Sequence, residues 1–186
     1  MRNITSFFLL LITLLIIFCT ACQPTNTNQS TYTKTSEATS TDTIPSRIGL
    51  VNDYSNVLDQ STKEHLESNL NKLKQRSGIE FAVVIVDTLG RQTLANYSMG
   101  IAKKWDFDSK NQKDGKILLL IAIKDEQWRI NVTESLWKDL PEETLTKLET
   151  TLTDPISEEK FGEGITKYVE AIITKLSKER RFVMSK

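Results

Sequence analysis

The stretch "IEFAVVIVDTLGRQTLANYSMGIAKKWDFDSKNQKDGKILLLIAI", residues 79–123, carries the reading on which the fold depends. Its two ends, Phe81–Val86 and Lys116–Ile123, are almost continuously apolar, as strands covered on both faces must be. A strand open to water on one face would alternate instead. Between them Thr93 can cap a helix whose Leu94, Tyr97, Ile101 and Trp105 fall on one side. Strand, helix and strand in that order predict a parallel crossover, which is right-handed by the general rule.

Downstream, a turn at Asp125-Glu126 leads into "QWRINVT", where Trp128, Ile130 and Val132 alternate with polar neighbours. That pattern predicts a hairpin whose last strand is half exposed or at an edge. Pro141 suits the first turn of a helix. A final helix is expected from about Gly164, with Ile165, Tyr168, Val169, Ile172 and Leu176 on its apolar stripe. The end of the chain reads as a fraying helix terminus, residues 179–186 forming a tail.

Upstream, "IGLVN" is a short apolar piece followed by a helix that either Asp59 or Ser61 can cap. "STKE" has the S-x-x-E form of a capping box. Leu66, Leu70 and Leu73 make one stripe, and Gly78 stops the helix. The sum is an α/β domain with a mixed sheet over residues 48–178. A domain of roughly 130 residues buries close to two thirds of its surface.

The N-terminus reads differently. Arg2 precedes an apolar run, Phe7–Phe18, broken only by Thr13, and small residues follow. This is the layout of an export signal over residues 1–21. The run is short for a membrane span of about 20 residues, although an uncleaved anchor from Ile4 to Ala21 is a second reading. Cys19 and Cys22 are spaced as C-x-x-C, but a redox pair belongs at a strand-to-helix turn inside a domain. Cys19-Thr20-Ala21-Cys22 instead resembles the lipobox of bacterial lipoproteins, with Cys19 standing where an aliphatic residue is usual. That resemblance implies removal of Cys19 and acylation of Cys22, with palmitate-type chains holding the protein to a membrane. Residues 22–47, about half of them Ser or Thr, form a tether too polar to bury much surface. Its end-to-end distance is roughly 25–30 Å. Net charge is zero, so no basic face exists for nucleic acid. The single histidine, His65, sits beside a leucine stripe and reads as a surface residue.

Three passages, in this order and spacing, resemble the TPM domain family. They are "VNDYSNVLDQSTKEHLESNLNKLKQRSGIEFAVVIVDTLG", "YSMGIAKKWDFDSKNQKDGKILLLIAIKDEQWRINV" and "EKFGEGITKYVEAI", together spanning about residues 49–176. The resemblance implies a three-layer α/β/α sandwich, an extracytoplasmic and membrane-tethered setting, calcium binding in some members and weak phosphatase activity in plant members. After the hairpin the family commonly has a Gly-rich loop, whereas this chain reads "TESLWKDL".

Among the residues themselves, Asp106, Asp108 and Asp114, with Asn111, offer hard oxygen ligands for Ca²⁺ or Mg²⁺. The loop is no EF-hand, since Asn111 stands where Gly is needed and Ile117 where Glu belongs. A solvated polar loop is the other reading. Glu134 is expected at the same sheet edge, and Asp53 at the opposite one, as further ligands or turn formers. "DFDSK" lacks the Thr or Val, and the preceding strand, of an aspartyl-phosphate phosphatase. "FGEG" lacks what a nucleotide loop requires and reads as a flexible start to the last helix. Trp105 and Trp128 are expected to pack, and Trp137 to offer a partner surface. The expected function is a lipid-anchored, non-catalytic binding or assembly module for membrane proteins of the cell envelope, assisted by a divalent cation. The alternative is a metal-assisted phosphoesterase.

Overall fold

Four strands form one sheet in sequence order: β1 (Val51–Asp53), β2 (Glu80–Val86), β3 (Lys116–Ala122) and β4 (Gln127–Val132). The computed structural model in which they are seen describes residues 43–107 and 115–181. β1, β2 and β3 are mutually parallel, with Val51 opposite Val83 and Phe81 opposite Ile117. β4 folds back antiparallel on β3, pairing Ile117 with Val132 and Ala122 with Gln127. The sheet is mixed, as the two apolar runs and the alternating third require.

Among the described residues four helices cover it: α1 (Gln60–Ser77), α2 (Leu94–Lys104), α3 (Glu142–Ser157) and α4 (Phe161–Arg180), with a 3₁₀ turn at Glu134–Leu136. Asp59, not Ser61, caps α1 by accepting from Thr62 N, and Ser61 bonds back to Asp59 from inside the helix. Gly78 ends α1 at φ 72°, a left-handed conformation that costs glycine little. Thr93 caps α2 by accepting from Asn96 N. Pro141 stands one residue before α3, and α4 begins three residues earlier than its apolar stripe suggests.

Each face of the sheet has its own core. Phe81, Val83, Ile85, Ile117, Leu119 and Ile121 point toward α1, α3 and α4, against Leu66, Leu70, Leu73, Leu152 and Tyr168. Ala82, Val84, Leu118 and Leu120 point the other way, toward Tyr97, Ile101, Trp105 and Phe107. Successive side chains along one strand thus alternate between two dry layers, and the α/β/α sandwich follows.

The packed region extends past both expected boundaries. Ile44 lies against Gly100, Lys104 Nζ donates to Ile44 O (2.6 Å), and Trp105 Nε1 donates to Pro45 O (3.1 Å). Arg47 stacks over Trp105 and Phe107 and pairs with Glu80. At the other end Arg180 is held by Asp139 (2.6 Å) and by Ser135 O, so α4 is tied down through that residue. "FGEG" lies inside α4 and is not a flexible lead-in. A side-chain carbon on Gly164 would come within 2.8 Å of Leu152 O, so the glycine lets α3 and α4 approach closely.

Candidate functional site

Because β2 and β3 are parallel, the sheet has two chemically distinct ends about 20 Å apart. The expected cation ligands divide between them. Asp106 and Glu134 lie at the end where β3 begins, and Asp53 lies at the other, so Asp53 cannot join a site with them.

At the first end Asp106 adopts φ 56°, and its carbonyl accepts from Lys116 Nζ. Lys116 is buried and also lies over the Phe107 ring, 5.0 Å from its centre. An ammonium beside the loop's first aspartate opposes a second cation there. Asp108, Asn111 and Asp114 lie outside the described residues. Gly115 closes the loop at φ +90°, where a side-chain carbon would stand 2.6 Å from Leu136 Cγ. In "TESLWKDL", therefore, the 3₁₀ turn plugs buried Leu136 into the core against Gly115.

At the opposite end Asp53 is occupied. Its carboxylate, 1% exposed, accepts from Val57 N (3.3 Å) and Leu58 N (3.1 Å) and pairs with Lys63 (2.9 Å). It holds the loop between β1 and α1 in shape. Asp87 pairs with Lys124 (2.7 Å), which, with a contribution from the Ser55 hydroxyl, holds its carboxyl below the usual aspartate range. Ser55 Oγ is buried near that carboxylate without a well-aligned hydrogen bond. Asp125 accepts from Leu89 N (2.6 Å) and Thr88 Oγ1 (3.1 Å), joining the hairpin turn to the loop after β2. The sequence reading missed Asp125 as a loop fastener, because its partners lie 36 and 37 residues away. Among the described residues no group of three or more His, Cys, Asp or Glu side chains is placed to hold a metal ion. These donors alone do not fit Ca²⁺ or Mg²⁺, which wants six or more oxygens around it.

The third region is a groove along the outer edge of β4. Two open hollows, of about 490 and 600 Å³, run between that strand and the first turns of α3. Ile130, Leu140 and Leu145 form the apolar floor, and Glu126, Glu142 and Glu149 stand around it against Arg129. Trp137 closes one end, 59% exposed, its indole N–H donating to Val132 O (3.2 Å). Trp128 is half-buried and meets Tyr168 edge-to-face at 6.0 Å. Behind it the Tyr168 hydroxyl is buried with no hydrogen-bond partner among the described residues; burial pushes its pKa up, and the charge of Glu149 adds to the rise. Trp105 packs in the second core, and His65 sits on the surface of α1 beside Glu170 (2.8 Å). The alternation in "QWRINV" signals an edge strand. The groove itself depends on where α3 returns, which no local pattern encodes.

Comparison with known proteins gives three findings. A model of the TPM domain matches residues 51–175. No curated protein matches. Among solved structures, the N-terminal domain of a protein from P. gingivalis superposes with a TM-score of 0.65 at 20% identity, over 74% of this chain and 87% of that one. The BA42 protein of Bizionia argentinensis gives 0.58 at 11% identity, over 68% of this chain and 86% of its own. The N-terminal domain of the cg2496 protein from Corynebacterium glutamicum gives 0.55 at 11%, over 73% and 85%. At these identities the likeness is one of fold.

Proposed function

Because the chain belongs to the TPM domain family across residues 51–175, we propose that it uses this domain to bind and assemble membrane proteins at the outer face of a membrane, to which acylated Cys22 holds it. The observation that carries the reading is the open β4 groove with Trp137 exposed at its end. Aromatic side chains that keep one polar atom engaged and one face in water are typical anchors of protein interfaces. No helix among the described residues is long and apolar enough to cross a membrane.

The experiment places a photo-crosslinking amino acid at position 137, or at position 65 as a control, in the full-length chain in its native membrane. The expected result is a discrete membrane-protein adduct from position 137 alone, lost together with lipid labelling in Cys22→Ala. Equal adducts from both positions, or none, would overturn the module. So would turnover of phosphate esters with Ca²⁺, Mg²⁺ or Mn²⁺ that Asp114→Ala abolishes. A divalent cation enters this proposal through Asp106, Asp108 and Asp114 of the loop, whose three carboxylates would have to outweigh the neighbouring Lys116 ammonium. Binding to the native state raises Tm as ligand is added, so a Tm indifferent to millimolar Ca²⁺ and to chelator removes it.

A further inference from the structure

The hydrogen-bond parity of β4 specifies what kind of ligand its groove can take. Thr133 N donates to Lys116 O, while Lys116 N donates to Thr133 Oγ1 (2.8 Å), so this pair faces inward. In an antiparallel ladder inward and outward residues alternate. Stepping back by two, Asn131, Arg129 and Gln127 turn their backbone groups toward β3, opposite Leu118, Leu120 and Ala122. Trp128, Ile130 and Val132 therefore turn theirs outward. The Trp137 indole on Val132 O agrees with that assignment, because it reaches the carbonyl from outside the sheet. Among the described residues β4 has no neighbour on that side. The N–H and C=O groups of Trp128 and Ile130 and the N–H of Val132 face the groove.

Three features narrow the occupant. The free backbone groups repeat every second residue, which matches an extended peptide and not a helix. Side chains of an added strand that point toward α3 would meet the apolar Ile130, Leu140 and Leu145. The charged groups around them are three carboxylates, Glu126, Glu142 and Glu149, against one guanidinium, Arg129, whose Nε already donates to Asn131 Oδ1 (2.8 Å). A second copy of this edge would bring the same three carboxylates against themselves, which disfavours self-pairing.

Resting on the binding reading above, we infer that the partner contributes an extended segment carrying alternating apolar and Lys/Arg side chains on one face, and that this segment docks as a fifth strand on the free edge of β4. The Trp137 ring ends the new ladder at Val132, fixing the register at that end. Glu142 and Glu149 select basic side chains on the inward face.

The test uses the full-length chain, an acetylated and amidated probe peptide Thr-Val-Thr-Lys-Thr-Val, a copy with Glu in place of Lys, and a copy N-methylated at alternate amides. The Lys peptide should bind saturably and slow hydrogen exchange at the amides of Trp128 and Ile130. The Glu peptide should bind roughly tenfold more weakly or worse, since like charges meet. The N-methylated copy should not bind, since its ladder donors are gone. Glu142→Lys combined with Glu149→Lys lies on the α3 surface and leaves the β3–β4 ladder intact; it should reverse the preference between Lys and Glu peptides. Equal binding of all three peptides, binding that leaves Trp128 and Ile130 exchange unchanged, or concentration-dependent self-association that protects Ile130 would each overturn strand addition. If no peptide binds while the position-137 adduct persists, the module stands and this inference falls; if both fail, both fall.

Discussion

Asp53 has two readings in the sequence, ligand or turn former, and its contacts in the fold are those of a turn former. A carboxylate at the carboxyl end of a strand suits metal chemistry, yet here both oxygens are committed to the chain's own turn. Replacing Asp53 by Ala strands one buried and one partly buried N–H group, and an orphaned buried donor costs about 1–3 kcal/mol. Asp53→Ala should therefore lose roughly 2–4 kcal/mol in denaturant unfolding. Asp53→Asn keeps an acceptor oxygen for one of the two N–H groups and gives up the ion pair with Lys63, so it should lose less stability than the Ala variant. Equal losses from the two would mean that charge, and not the turn, is what Asp53 supplies. Tyr168 makes the converse case: its hydroxyl is buried without a partner among the described residues, so Tyr168→Phe removes a desolvated group and should raise Tm by a few degrees. A fall in Tm would show that the hydroxyl has a partner, such as a bound water.

At the scale of elements the decisive contacts are those between α3 and α4 and those along β4. Gly164 is the fourth residue of α4, and inside a helix intrinsic propensity favours Ala by about 1 kcal/mol. Yet the 2.8 Å approach to Leu152 O leaves no room for a methyl group. Gly164→Ala is expected to destabilise the fold by about 1–3 kcal/mol, overpacking outweighing propensity. A more stable variant would mean that the two helices separate at little cost. "FGEG" looks like a flexible lead-in because two glycines in four residues weaken any local helix signal. The reason for Gly164 lies across the helix pair, 12 residues away in sequence. β4 was easier to read: alternation of Trp128, Ile130 and Val132 with polar neighbours marks an edge strand, and an edge strand it is. Which of its backbone groups remain free follows only from the register against β3.

On the scale of the whole domain, Glu80 links three parts. It pairs with Arg47 from the N-terminal strap and with Lys74 from the last turn of α1, while itself opening β2. Burial alone would raise its pKa, but the hydrogen bonds and charges of Lys74 and Arg47 outweigh burial and hold it below the ordinary glutamate value. A carboxyl depressed in the folded state adds stability above its unfolded pKa of about 4.3, and that contribution is lost as pH falls through the folded value. Glu80→Gln should therefore unfold at lower Tm at pH 7, and its deficit should shrink on acidification. A deficit independent of pH would show that the carboxylate charge is not involved. The layer order was legible in the sequence because strands buried on both faces must be continuously apolar, and the strand-helix-strand spacing leaves only a parallel crossover. Helix caps at Asp59 and Thr93 and the stop at Gly78 are equally local, fixed by which side chain reaches a backbone N–H three residues on. The strap of Ile44–Arg47 was not legible: its composition is that of the polar segment before it, and only Gly100, Lys104 and Trp105 make it part of the packed domain. The groove was hidden for the same reason. Short-range periodicity records which face of an element is dry, whereas a concave surface arises from how far two elements distant in sequence stand apart, and only packing of the complete chain sets that distance.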